Sequence, residues 1–163
     1  MRRRLLLGAA CFVSLSGCGF ALKRAPELSF KTIQLAGFPA RSPLAAELRG
    51  QIDASTTTRV VESPSEAQVV LQALSEAREK VVVAQTSANQ IREFELRLRF
   101  NFRVRSVAGK DLIPDSEILL RRSLTYTESA ALAKEQEEAF LYRAMQTDIV
   151  SQVLRRLASI HLL

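Results

Sequence analysis

The sequence predicts an α+β domain: two helices packed on one face of a four-stranded, mostly antiparallel sheet. Three observations predict it. Residues Arg92 to Arg105 read REFELRLRFNFRVR, with Phe94, Leu96, Leu98, Phe100, Phe102 and Val104 at every even position and polar residues between them. That period of two separates an apolar face from a basic one along a single long strand. Two segments instead carry apolar residues at helical spacing, one near Leu44–Ile52 and one running from about Ser129 to Ile160. The oily side of the strand needs a cover, and these helices supply it.

In chain order, Phe30 to Leu35 alternates as a first strand, and Gly37, Pro39 and Pro43 mark a turn. Ser42 followed by Pro43 predicts a helix start, because a serine oxygen can accept from the first free amides and proline suits the first helical position. Leu44, Leu48 and Ile52 give that helix one apolar stripe, ending near Ala54. Thr56 to Val61 is β-branched and predicts a short edge strand, stopped by Pro64. Ala67 to Val83 is a strand with Val69, Leu71 and Ala73 on one side, although Ser75 to Lys80 is polar enough to be helical in isolation. Ala84 to Gln90 is small and polar and predicts a loop into the central strand.

Gly109 in Ala108–Asp111 suits a hairpin turn. The returning strand, Leu112 to Tyr126, places Ile118, Leu120, Leu124 and Tyr126 on one face, interrupted by Arg122. Pro114 predicts a kink, bulge or edge position at its start. In the last helix, acids crowd the first turns and Arg155 and Arg156 lie near the end, as the helix dipole favours. Projection at 100° per residue gathers Leu132, Ala139, Phe140, Val150, Val153, Leu154, Leu157 and Ala158 on one face. Leu141 and Met145 fall off it, which suits either a wide core stripe or contact with a partner protein.

The fold begins after an export signal. Arg2, Arg3 and Arg4 precede an apolar run from Leu5 to Leu15, too short to span a bilayer. Leu15-Ser16-Gly17-Cys18 resembles the lipobox of bacterial lipoproteins. Residues 1–17 are therefore expected to be a cleaved signal peptide, residues 18–28 a tether, and residues 29–163 a single domain. The resemblance implies an S-diacylglycerol and an N-acyl chain on Cys18, a stable anchor. Gly19, where an Asp would resemble an inner-membrane retention signal, favours the outer membrane. Losing three arginines takes the formal net charge from +6 to +3, which is not the global charge of a nucleic-acid binder. Cys11 leaves with the signal and Cys18 is expected to carry lipid, so no disulfide is expected.

No catalytic constellation stands out. His161, the single histidine, has no carboxylate or nucleophile partner in sequence. Metal-ligand spacing, dinucleotide glycines and a Walker loop are absent. Glu135, Glu137 and Glu138 read as a solvated helix face. The expectation is a non-enzyme without cofactor or metal. Arg97, Arg99, Arg103 and Arg105, with Arg121 and Arg122 on the neighbouring strand, make a guanidinium-rich surface. It can bind phosphate in bidentate fashion, or pair across strands with Glu76, Glu79, Glu93 and Glu95. For an exported lipoprotein, lipopolysaccharide is the anionic candidate and nucleic acid is not.

Several segments resemble the LptE (RlpB) family of lipopolysaccharide-assembly lipoproteins. They are Cys18-Gly19-Phe20-Ala21-Leu22-Lys23, Glu93-Phe94-Glu95-Leu96, the Arg-Ser-Leu-Thr-Tyr stretch at 122–126, and Ala131-Leu132-Ala133-Lys134-Glu135-Gln136-Glu137. The resemblance implies a lipid-anchored plug in the lumen of LptD, an outer-membrane β-barrel. Such a plug helps the barrel fold and assists delivery of lipopolysaccharide to the outer leaflet. It implies a lipopolysaccharide-binding role for Lys134. A basic residue precedes the central strand in that family; here Arg92 is the first charge after the loop. The expected ligand set is thus Lys134, Arg92, Arg97, Arg99, Arg103 and Arg121. The rivals are a lipoprotein serving another envelope complex and an enzyme acting on peptidoglycan.

Overall fold

The computed structural model describes residues 27–161. The expected signal peptide, Cys18 and nearly all of its tether lie outside the described residues. The elements are β1 (Thr32–Ala36), α1 (Pro43–Asp53), β2 (Arg59–Val61), β3 (Val69–Gln85), β4 (Ile91–Ser106), β5 (Asp111–Thr125) and α2 (Ala131–Ala158). Short 3₁₀ turns at Pro64–Glu66 and Glu128–Ala130 precede β3 and α2.

The sheet has five strands, not four, in the order β2-β1-β3-β4-β5. β1 lies parallel to both β2 and β3, whereas β3, β4 and β5 form an antiparallel meander. The fifth is the short edge segment expected at Thr56–Val61, of which Arg59–Val61 forms β2 at the sheet edge. It runs parallel to β1 because α1 carries the chain back along the sheet between them. The chain then steps over β1 to reach β3. The Gln34 side-chain Nε2 donates to the Glu62 carbonyl at 2.8 Å, and the Gln68 backbone N–H donates to Thr32 Oγ1 at 3.0 Å.

α1 starts as its sequence dictates. Ser42 Oγ accepts from the Ala45 amide at 3.1 Å and donates to Glu76 Oε2 at 2.7 Å, so one hydroxyl caps the helix and ties it to β3. Leu44, Leu48 and Ile52 are buried. The core lies between the helices and the sheet, with Phe100, Phe102, Leu96, Leu98 and Val104 of β4 at its centre. Phe100 stacks on Phe102 at 5.3 Å and on Phe38 at 5.7 Å.

α2 buries a different stripe from the one its projection predicts. Leu132 is 72% exposed and Phe140 61%, and Ala139 is exposed, while Met145 is fully buried beside Tyr142, Ile149 and Val153. The steepest apolar clustering lies in the second half of the helix and centres on Met145 and Ile149. α1 meets α2 near its middle, where Gln146 donates to the Pro43 carbonyl and to Glu47, and the first turns lie beyond it without that second helix to cover their apolar residues. Leu141 packs at the core margin.

β3 contains the second departure from simple alternation. Its register with β4 shifts between Ala73 and Ser75, leaving Leu74 as a bulge. Before the bulge, odd residues Val69, Leu71 and Ala73 face the core. After it, even residues Arg78, Lys80 and Val82 lie beside Leu98, Leu96 and Phe94 on the helix side. One inserted residue re-aims the rest of the strand. The expected irregularity near Pro114 is present too, as a register shift opposite Phe102–Val104 at the start of edge strand β5.

Candidate functional site

Two surfaces follow from this architecture. The first is the open face of the sheet, where the odd residues of β4 and β5 project. Here most arginines are already paired. Arg97 meets Glu95 at 2.6 Å and Glu79 at 3.8 Å, Arg99 meets Glu117 at 2.8 Å, and Arg105 meets Asp111 at 2.6 Å. Arg103 donates to Gln72 Oε1 at 2.9 Å and lies 3.9 Å from Asp115. The cross-strand partners are thus largely Glu117, Asp115 and Asp111 of β5, with Glu76 turned to the helix side by the bulge. Each such half-exposed pair contributes about 0–1 kcal/mol. The face is a lattice of balanced charge rather than a bare cationic sheet.

Arg121 stands on this face directly opposite Arg97 and makes no ion pair among the described residues. Arg122, grouped with these residues by sequence, is on the other side. It lies opposite Leu96 and reaches Asp148 of α2 at 3.2 Å. Arg92 lies at a register shift between β3 and β4, where its carbonyl accepts from the Tyr126 amide at 2.8 Å; it is exposed and also has no ion pair among the described residues.

The second surface is a cleft at the loop end of the sheet, where the first turns of α2 overhang β3 and β4 beyond the start of α1. Its larger part, about 630 Å³, is walled by Arg78, Lys80, Glu138, Tyr142 and Arg143. A smaller recess of about 160 Å³ continues beneath the helix start, between Lys80, Phe94, Tyr126 and Lys134. Lys134 donates to Glu137 Oε2 at 2.8 Å and to Thr125 Oγ1 at 3.1 Å, and its side chain is 19% exposed. Lys80 pairs with Glu138 at 2.6 Å while its ammonium sits 4.3 Å above the Phe94 ring. Phe94 and Tyr126 meet edge to face at 5.3 Å. Arg78 lies over the Tyr142 ring and donates to Gln146 at 3.2 Å.

Tyr142 donates to the Glu79 carbonyl at 2.7 Å. Burial, reinforced by the nearby Glu138 charge, pushes its hydroxyl above the usual value of 10.0. It is therefore a fixed neutral donor in the cleft wall at physiological pH. Cations set against aromatic rings suit an amphiphile with an anionic head.

The structure thus brings Lys134 together with Lys80, which in turn shares the larger cavity with Arg78 and Arg143; sequence reasoning selected none of these three. Arg97, Arg99, Arg103 and Arg121 lie on the opposite face of the sheet from this cleft. The sequence marks the β3 bulge only faintly, because Ala73-Leu74 are adjacent apolar residues but so are Val69-Val70-Leu71, which pair in regular register. Among the described residues no group of three or more His, Cys, Asp or Glu side chains is placed to hold a metal ion.

Comparison with known proteins agrees with this architecture. No curated protein matches the chain by sequence. Among solved structures, uncharacterized lipoprotein B from Nitrosomonas europaea superposes with a TM-score of 0.74 at 31% identity, covering 86% of this chain and 91% of that one. Rare lipoprotein B from Shewanella oneidensis gives 0.68 at 19% identity, covering 79% and 95%. A minor lipoprotein from Acinetobacter baumannii gives 0.64 at 19% identity, covering 82% and 94%. The latter two are similar in fold. The family model described as LptE, lipopolysaccharide-assembly, matches residues 30–157, from just before β1 to the last turn of α2. The sheet, both helices and the cleft all fall within that span, and the chain belongs to the LptE family of lipopolysaccharide-assembly proteins.

Proposed function

We propose that this chain is an outer-membrane lipoprotein, acylated on Cys18, that plugs an LptD-type β-barrel in a 1:1 complex. In this reading it helps that barrel assemble and assists delivery of lipopolysaccharide to the outer leaflet. It sits on the periplasmic side, within the barrel lumen. The observation that carries the reading beyond family membership is the open face of the sheet. The lumen of a large outer-membrane barrel is polar. A face of alternating arginines and carboxylates, most of them paired and with Arg121 its one arginine lacking an ion pair among the described residues, suits such a lumen. No described helix is long and apolar enough to cross a membrane.

Lipopolysaccharide engages Lys134 first in this scheme, because the cleft joins its ammonium to Lys80 and to the Phe94 and Tyr126 rings. Arg92 and Arg121, without ion pairs among the described residues, are the next candidates. Arg97, Arg99 and Arg103 exchange a carboxylate for a lipid phosphate. Charge-assisted contacts of this kind contribute about 1.5–3 kcal/mol when well formed. The chain loosens lipopolysaccharide packing by competing for phosphates otherwise bridged by divalent cations.

The test is co-purification of the full chain from membranes in mild detergent. The reading expects a barrel of LptD type in about equal amount. A partner set lacking such a barrel favours a lipoprotein serving another envelope complex.

A further inference from the structure

The two edges of the sheet differ. β2 offers three residues, whereas β5 offers fifteen, and no described residue pairs with the outer backbone of β5. Long edges are normally blunted by proline or by charges that repel a second copy. Here Pro114 blunts only the start. From Asp115 to Ser123 the charges divide by position: Asp115 and Glu117 come before Leu119, and Arg121 and Arg122 come after it.

That division is self-complementary. We propose that the β5 edge pairs with the β5 edge of a second copy of this chain, antiparallel and centred on Leu119. In this register Glu117 meets Arg121 of the other copy, twice by symmetry, and Leu119 meets its own equivalent. On the helix side Ile118 meets Leu120. A two-fold axis normal to the sheet keeps both helix layers on one side, so like faces pair with like faces.

Two observations favour this register. Arg121 lies opposite Arg97, a like charge whose own carboxylates are Glu95 and Glu79, and has no ion pair among the described residues. Glu117 of the other copy, which also holds its own Arg99 at 2.8 Å, brings a carboxylate across the seam that relieves this opposition. Centring the pair on Ile118 instead would set Leu119 against Glu117 and lose the Ile118–Leu120 contact. A barrel lumen that admits one copy would compete with this pairing, so the dimer is a form of the chain outside the barrel.

The test uses the full chain, purified in mild detergent free of any barrel, with single cysteines under mild oxidation. Leu119→Cys is expected to give a disulfide-linked dimer, while Glu117→Cys and Ile118→Cys are not, and Glu117→Cys combined with Arg121→Cys is. Arg121→Glu is expected to weaken dimerisation roughly tenfold, from two like-charge contacts, and adding Glu117→Lys to restore it. Circular dichroism checks that each variant is folded. Absence of the Leu119→Cys dimer in folded protein overturns the proposal. Equal linking at all three positions does so too, because it reports collision rather than register. Since no barrel is present, neither outcome bears on the plug reading.

Discussion

The carbonyl oxygen of Ala73 occupies the space where a β-carbon on Gly37 would stand. Gly37 has a φ of +76°, so the turn after β1 needs glycine both for its backbone and for this approach. Ala73 is also the last residue before the β3 bulge. Gly37→Ala is therefore expected to destabilise the domain by about 1–3 kcal/mol, because backbone rather than a flexible side chain must move. Urea denaturation measures it. A change within error would mean that the turn relaxes freely.

The Tyr142–Glu79 hydrogen bond joins α2 to the open half of β3 at 2.7 Å. Tyr142→Phe is expected to cost about 1 kcal/mol at neutral pH. The pH dependence has a definite sign. The folded state raises the tyrosine above 10.0, chiefly by burial. Its contribution is then fully present below that pH and is lost as pH rises through the folded value. Thermal melts between pH 8 and about 11 should show a steeper alkaline loss in the native protein than in Tyr142→Phe. Parallel curves would remove Tyr142 as the source.

The strength of the β4 pattern explains what was legible in the sequence. Six apolar residues at period two, flanked by a glycine hairpin and a polar loop, admit one local structure, and Leu96 to Val104 are buried as that pattern requires. The N-cap of α1 was equally legible, because Ser42 and Pro43 act within one turn. The parallel pairing of β2 was not, since three residues carry too little pattern to fix a neighbour. The bulge at Leu74 was the costlier gap. It turned Arg78 and Lys80 toward α2, so half of the cleft lay on residues whose polar run read only as an ambiguous strand.

The stripe buried by α2 gives a direct contrast between two residues. Met145 is fully buried and Phe140 is 61% exposed, the reverse of their places in a projection over the whole helix. Met145→Ala is expected to cost about 2–5 kcal/mol and Phe140→Ala within about 0.5 kcal/mol of zero. Chemical denaturation of both variants checks this. A larger loss at Phe140 would mean that the helix is rotated from the position described.

Lys134 separates the functional prediction from stability. Its pair with Glu137 is half-exposed on the glutamate side, and such pairs contribute about 0–1 kcal/mol. Lys134→Glu should therefore leave the melting transition nearly in place. It also sets an acid beside Glu135 and Glu137 in the cleft and removes one of the two cations, with Lys80, that line the recess beside Phe94 and Tyr126. Binding of lipopolysaccharide is expected to fall roughly tenfold, since the ammonium exchanges one carboxylate for a phosphate rather than gaining a wholly new contact. Glu137→Gln should retain or raise binding, because it frees Lys134 from its partner. Lipopolysaccharide pull-down with parallel thermal melts distinguishes the cases. Unchanged binding in folded Lys134→Glu would move the lipid site away from the cleft, toward Arg121 on the open face.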